Sequence, residues 1–112
     1  MVADFKNSFE DGFFDKIYDQ IKDLDISLLV NNVGIDIFER FEESNETTIL
    51  DNIKINTVPV TMISRKIIPQ MLKRKKRSGV LNVASFAGKL PHPYFTVYSA
   101  TKSYVINFTL SL

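Results

Sequence analysis

Two short apolar runs constrain this chain more than anything else in it. Ser27 to Val30 and Val80 to Ala84 are rich in leucine and valine, and each ends at a turn. Asn31-Asn32-Val33-Gly34 follows the first run, and Ser85 with Gly88 follows the second. Runs this short and continuously apolar predict buried strands of a parallel sheet. Parallel neighbours need a crossover, and the sequence between them supplies a helical pattern. Ser44-Asn45-Glu46-Thr47 offers N-cap candidates with an acidic first turn, and the pattern extends to about Arg77. Pro59 inside it frees the carbonyl of Ile55 and predicts a kink, Pro69 a second one, and Gly79 marks the end.

Helices flank this unit. Residues 8–24 place Phe14, Ile17, Ile21 and Leu24 at helical spacing, with Asp11, Asp15, Asp19 and Asp23 along a more polar side. Ser85 to Thr96, with Gly88, Pro91 and Pro93, reads as a loop. From about Val97 a last helix carries Val105, Ile106 and Phe108. Alternating strands and helices give the α/β class.

Composition narrows the function classes. A chain of 112 residues is one domain. A net charge of +1 gives no general pull toward nucleic acid. Lys73-Arg74-Lys75-Lys76-Arg77 reads as a solvated helix end and has no interleaved aromatics for base stacking. Without cysteine, and with one histidine, His92, no metal site is expected. No apolar run is long enough to span a membrane. The N-terminus shows no signal-peptide pattern.

Tyr98 and Lys102 lie four apart on the last helix and share a face. An ammonium beside a phenol favours the phenolate and lowers the phenol's pKa toward the range useful for proton transfer. Ser85, thirteen residues earlier, has a hydroxyl that can hold a carbonyl against that phenol. Together they point to carbonyl reduction or its reverse. Tyr18 and Lys22 repeat the spacing without a serine and read as a solvated pair. Asn56 sits mid-helix, where asparagine is a poor helix former, so its place needs a reason. Asn31, Asn32 and Gly34 suit a turn.

Asn31-Asn32-Val33-Gly34, Asn56, Ser85 and Tyr98-Ser99-Ala100-Thr101-Lys102, in this order and spacing, resemble the short-chain dehydrogenase/reductase family. Gly88-Lys89-Leu90-Pro91 and the stretch to Lys102 are similar to its very-long-chain 3-oxoacyl-CoA reductase and 17-beta-hydroxysteroid dehydrogenase branch. The resemblance implies part of a doubly wound, Rossmann-like parallel sheet in β-α-β-α-β-α order, with Met1 to Phe5 as a strand tail. It implies NADPH, or NADH, as cofactor and a ketone or acyl-CoA as substrate. Catalytic roles fall on Asn56, Ser85, Tyr98 and Lys102. Cofactor roles fall on Asp4 near the adenine, on Asn31, Asn32 and Gly34, and on Tyr98 and Lys102. Asn56 is expected to hold a water that links Lys102 to solvent. Such domains are about twice this length and carry a glycine-rich loop. Glycines 12, 34, 79 and 88 form no Gly-x-x-x-Gly-x-Gly. The expectation is therefore a segment lacking the first strands and the C-terminal portion. Members of the branch are endoplasmic-reticulum proteins anchored by an upstream segment, which gives the expected location. The rival expectation is an inactive fragment that acts by binding partners.

Overall fold

The computed structural model describes residues 1–112. Helix α1 spans Phe13–Ile21, strand β1 Leu28–Asn31, helix α2 Glu46–Leu72, strand β2 Gly79–Asn82 and helix α3 Thr96–Ser111. The strands pair in parallel, Leu28 opposite Gly79 through Asn31 opposite Asn82, with α2 as their crossover. Strand side chains alternate between faces. Leu29, Asn31, Val80 and Asn82 lie on the covered face, whereas Leu28, Val30 and Leu81 are exposed. The expectation of fully buried strands is corrected here, because helices cover only one face.

A polar chain ties the layers together. Asn31 Nδ2 donates to Ser64 Oγ of α2 (3.1 Å) and to Asn82 Oδ1 (2.8 Å). Asn82 Nδ2 donates to Thr109 Oγ1 of α3 (2.9 Å). Buried polar groups must find partners, so this chain fixes which helix residues meet the strands.

The α2 helix begins at its expected signal: Asn45 Oδ1 accepts from Thr47 N (2.9 Å). It stays continuous past Pro59 and Pro69, so neither proline ends it. Pro59 is fully buried, and packing holds the helix where one backbone donor is missing. The buried residues Asn52, Asn56, Val60, Ser64, Ile67 and Met71 recur every three or four positions and form its inward stripe. Ile67 meets Phe14 and Ile17 of α1 across a small apolar gap.

Several boundaries differ from the sequence reading: β1 runs from Leu28 to Asn31, and β2 begins at Gly79, read as the helix end, and stops at Asn82, short of Ala84. The α2 helix ends at Leu72 and not near Arg77. Arg74 is not simply solvated: its Nη1 donates to Asp25 Oδ1 (2.9 Å) and to the Asp25 carbonyl (3.0 Å), locking the chain after α2 to the segment before β1. The α1 helix covers only part of residues 8–24, because left-handed Gly12 (φ 71°) precedes it. Met1 to Phe5 form no strand. Asp4 instead accepts from Lys6 N (3.0 Å) and caps a single 3-10 turn, Phe5–Asn7, whose Phe5 packs on Phe13 and Phe14.

Candidate active site

The C-terminal ends of β1 and β2 open into a cleft of about 360 Å³ lined by Asn32, Gly34, Ile35, Asp36, Val83, Ala84, Tyr98 and Lys102. Ligands of open α/β sheets bind at these strand ends. The cleft gathers Tyr98, Lys102, Asn32 and Gly34 from the sequence-predicted set.

Lys102 is buried, at 5 % exposure. Its Nζ donates to the Val83 carbonyl (3.3 Å) and lies 5.7 Å from the Tyr98 ring centre. No carboxylate pairs with it, and burial pushes its pKa below the usual lysine value. Lys22 differs in each respect. It is solvent-exposed, and its hydrogen bond to Asp19 (3.1 Å) raises its pKa. The repeated Tyr-x-x-x-Lys spacing thus produces two opposite environments.

Two glycines permit the close approach around Lys102. A Cβ on Gly34 would stand 3.1 Å from Lys102 Nζ and 3.2 Å from Asn56 Oδ1. A Cβ on Gly88 would stand 2.6 Å from the Lys102 carbonyl carbon, which is backbone and cannot yield. Gly88 is therefore fixed by contact, and Ser103 Oγ adds a hydrogen bond to its carbonyl (2.6 Å). This clamps the turn Phe86–Gly88, whose N-cap is Ser85, to α3. Ser85 Oγ accepts from Ala87 N (3.2 Å), which leaves its hydroxyl proton free to donate. Ser85 directly follows the lining residues Val83 and Ala84.

Asn56 is 2 % exposed and its side chain is saturated. Its Oδ1 accepts from Ile35 N (2.8 Å). Its Nδ2 faces three acceptors: the Ile35 carbonyl (2.8 Å), Thr101 Oγ1 (2.9 Å) and Asn52 Oδ1 (3.2 Å). Asn52 Nδ2 also donates to the Ile35 carbonyl (3.1 Å), and Thr101 Oγ1 donates to the Tyr98 carbonyl (2.7 Å). Asn56 thus joins the loop after β1 to the first turns of α3. Asn52 and Thr101 escaped the sequence reading, although Asn52 and Asn56 stand four apart on one helix face. Asp4 caps the Phe5–Asn7 turn, and Asn31 belongs to the polar chain across the sheet. Neither lines the cleft.

The short-chain dehydrogenase family model matches residues 4–112. The chain belongs to that family. It is 40 % identical over 107 residues to the very-long-chain 3-oxoacyl-CoA reductase of Mus musculus, covering 91 % of this chain and 34 % of that protein. It is 37 % identical over 109 residues to the reductase of the same name from Coccidioides immitis, covering 96 % and 30 %. The chain therefore spans about a third of the length of the curated relatives it matches. Among solved structures, it superposes on 4-hydroxyisoleucine dehydrogenase complexed with NADH and succinate with a TM-score of 0.84 at 22 % identity. That match covers 97 % of this chain and 50 % of the other. It shows the fold, a segment of a Rossmann-like α/β domain. Serine dehydrogenase from Escherichia coli superposes with a TM-score of 0.78 at 28 % identity over 85 % of this chain and 46 % of the other.

Burial of Lys102 carries a consequence for stability. Its folded-state pKa lies below the unfolded value of 10.5, so at lower pH the fold bears the cost of a buried ammonium. As pH rises from the folded pKa toward 10.5, the unfolded chain holds the proton longer, and stability increases. Lys102→Met removes the charge and keeps most of the packing. It is expected to raise Tm at pH 7. It should also flatten the rise at alkaline pH. Thermal melts of both proteins from pH 7 to 10.5 check this. A lower Tm in the variant contradicts it.

Proposed function

We propose that this chain is the catalytic segment of a nicotinamide-dependent reductase whose substrate is a 3-oxoacyl-CoA, with a 17-ketosteroid as the alternative. The observation that carries the reading is the buried Lys102 ammonium beside Tyr98 at the strand-end cleft, in a chain 40 % identical to a very-long-chain 3-oxoacyl-CoA reductase. In the whole protein, meaning this segment at the length of its relatives, Tyr98 gives its phenolic proton to the ketone oxygen. The free Ser85 hydroxyl proton holds that oxygen and stabilises its developing charge. Lys102 favours the phenolate left behind. Asn56, through Ile35 and Thr101, keeps the cleft wall and the start of α3 in register.

The cleft fits the nicotinamide end of a dinucleotide. Gly34 presents no side chain toward Lys102, and Asn32, Tyr98 and Lys102 offer polar groups to a ribose. A bound nicotinamide supplies the hydride. NADPH is the proposed donor, with NADH as its alternative. Asp4 is assigned to the adenine side, and Asn31 supports the sheet beneath. The proposed location of the whole protein is the endoplasmic reticulum; no helix of this chain is long and apolar enough to cross a membrane.

Pyrophosphates rest on backbone N–H groups of a glycine-rich turn at a helix N-terminus, a motif the four glycines here do not form. The whole protein is therefore expected to bind NADPH saturably in a fluorescence titration, and the 112-residue chain to bind it poorly. Failure of the whole protein to bind either dinucleotide contradicts the proposal.

A further inference from the structure

The basic run at residues 73–77 is not accounted for by the helix it follows. Cations complement a helix dipole only within the last turn. The α2 helix ends at Leu72 with no basic residue in that turn, and Lys75, Lys76 and Arg77 lie beyond it. Lys73, Lys75, Lys76 and Arg77 are exposed, and none of them enters an ion pair. Arg74 alone turns inward, to Asp25.

The Arg74 bonds, together with Gln70 Nε2 donating to the Leu24 carbonyl (2.6 Å), fasten the run against the segment between α1 and β1. The acids of that segment and of the end of α1 are Asp19, Asp23 and Asp25. Asp19 is bonded to Lys22 and Asp25 to Arg74, which leaves the Asp23 carboxylate against four unpaired cations. Apolar side chains stand among them: Leu72, next to Lys73, is 79 % exposed, and Leu24 is 56 % exposed. Cations with exposed leucines complement a surface that is anionic outside and apolar just beneath, which is the chemistry of a bilayer with anionic headgroups. Nucleic acid also offers phosphates, but no aromatic residue lies between Met62 and Ser85 to stack a base.

We propose that this end of the molecule docks on an anionic lipid bilayer, with Lys73, Lys75, Lys76 and Arg77 at the phosphates and Leu72 and Leu24 at the top of the acyl region. The run leads into β2 at the N-terminal ends of the strands, whereas the cleft opens at their C-terminal ends. Docking by this end therefore leaves the cleft facing water, open to soluble ligands. The surface is separate from the reaction proposed above and stands whether or not that reading holds. Each cation near such a surface adds about fivefold in partition, and salt screens the gain.

Sedimentation of the 112-residue chain with vesicles tests this. One set is phosphatidylcholine alone, and the other contains about 30 % phosphatidylserine. At about 0.1 M salt the chain should partition onto the phosphatidylserine vesicles about tenfold better or more, and the preference should shrink toward about 0.5 M. Lys75→Gln with Lys76→Gln should weaken that binding about 25-fold. Lys16→Gln with Lys89→Gln makes the same change in net charge at exposed sites elsewhere and should weaken it less than about threefold. Leu72→Ser should weaken it severalfold and leave the preference for phosphatidylserine in place. Equal partition onto both vesicle types, or equal losses in the two double variants, overturns the proposal. Tighter binding to a labelled DNA duplex than to phosphatidylserine vesicles, unchanged by Leu72→Ser, assigns the run to nucleic acid and also overturns it.

Discussion

Replacing Tyr98 with phenylalanine is expected to lower ketone reduction by the whole protein about 100- to 10,000-fold, the range for a positioned acid. The change removes one oxygen and keeps the ring. Contacts of that ring with Phe95 (5.6 Å) and with Lys102 Nζ (5.7 Å) do not need the hydroxyl. Thr101 bonds the Tyr98 carbonyl and is unaffected by the side chain. The loss should therefore fall on kcat, with Tm within about 2 °C of the parent. A large fall in Tm would mean that the hydroxyl is structural. Turnover like that of the parent would remove Tyr98 from the chemistry.

Asn56→Leu is expected to have the largest effect on stability. The side chains are similar in volume, so cavity formation is a minor part of the cost. The main loss is in hydrogen bonding. The Ile35 N–H loses its side-chain acceptor, and the Ile35 carbonyl, Asn52 Oδ1 and Thr101 Oγ1 each lose a donor. Leaving a buried polar group unpaired costs about 1–3 kcal/mol. Asn52 still serves the Ile35 carbonyl, and Thr101 still bonds Tyr98, so the sum is expected near 3 kcal/mol or somewhat above. Against a typical total of about 5–15 kcal/mol, that is a large share. Urea unfolding checks it, and a double variant with Thr101→Val should cost less than the two single changes added together. A loss below about 1 kcal/mol in Asn56→Leu contradicts the network. In the whole protein, turnover should suffer more than NADPH binding, because Asn56 holds the frame of the catalytic residues.

The parts of this architecture that were legible in the sequence are those set over short distances. Asn45 capping α2 and the presence of two short strands joined by a helix follow from local pattern, whereas the register of Leu28 with Gly79 does not. The four-residue spacing of Tyr98 and Lys102 is local too. What escaped depends on contacts between distant segments. Arg74 belongs to a charge run that looks solvated, yet Asp25, far back in the chain, takes its guanidinium. Gly88 looks like an ordinary loop glycine until the Lys102 backbone is set against it. The ring contact of Phe38 with Tyr94 exists only because two loops meet, with Tyr94 in the left-handed region. The strand tail expected at Met1 to Phe5 gave way to a turn because Asp4 found a local donor in Lys6 N.

The central claim is that the Tyr98–Lys102 pair protonates a ketone reduced by a nicotinamide. The most direct measurement is incubation of the whole protein with NADPH and 3-oxohexadecanoyl-CoA, with mass spectrometry of the thioester. The account predicts conversion to the 3-hydroxyacyl-CoA, two hydrogens heavier, matched mole for mole by NADPH consumed and nearly lost in Tyr98→Phe. An unchanged thioester with the parent protein, or equal conversion by parent and variant, would contradict it.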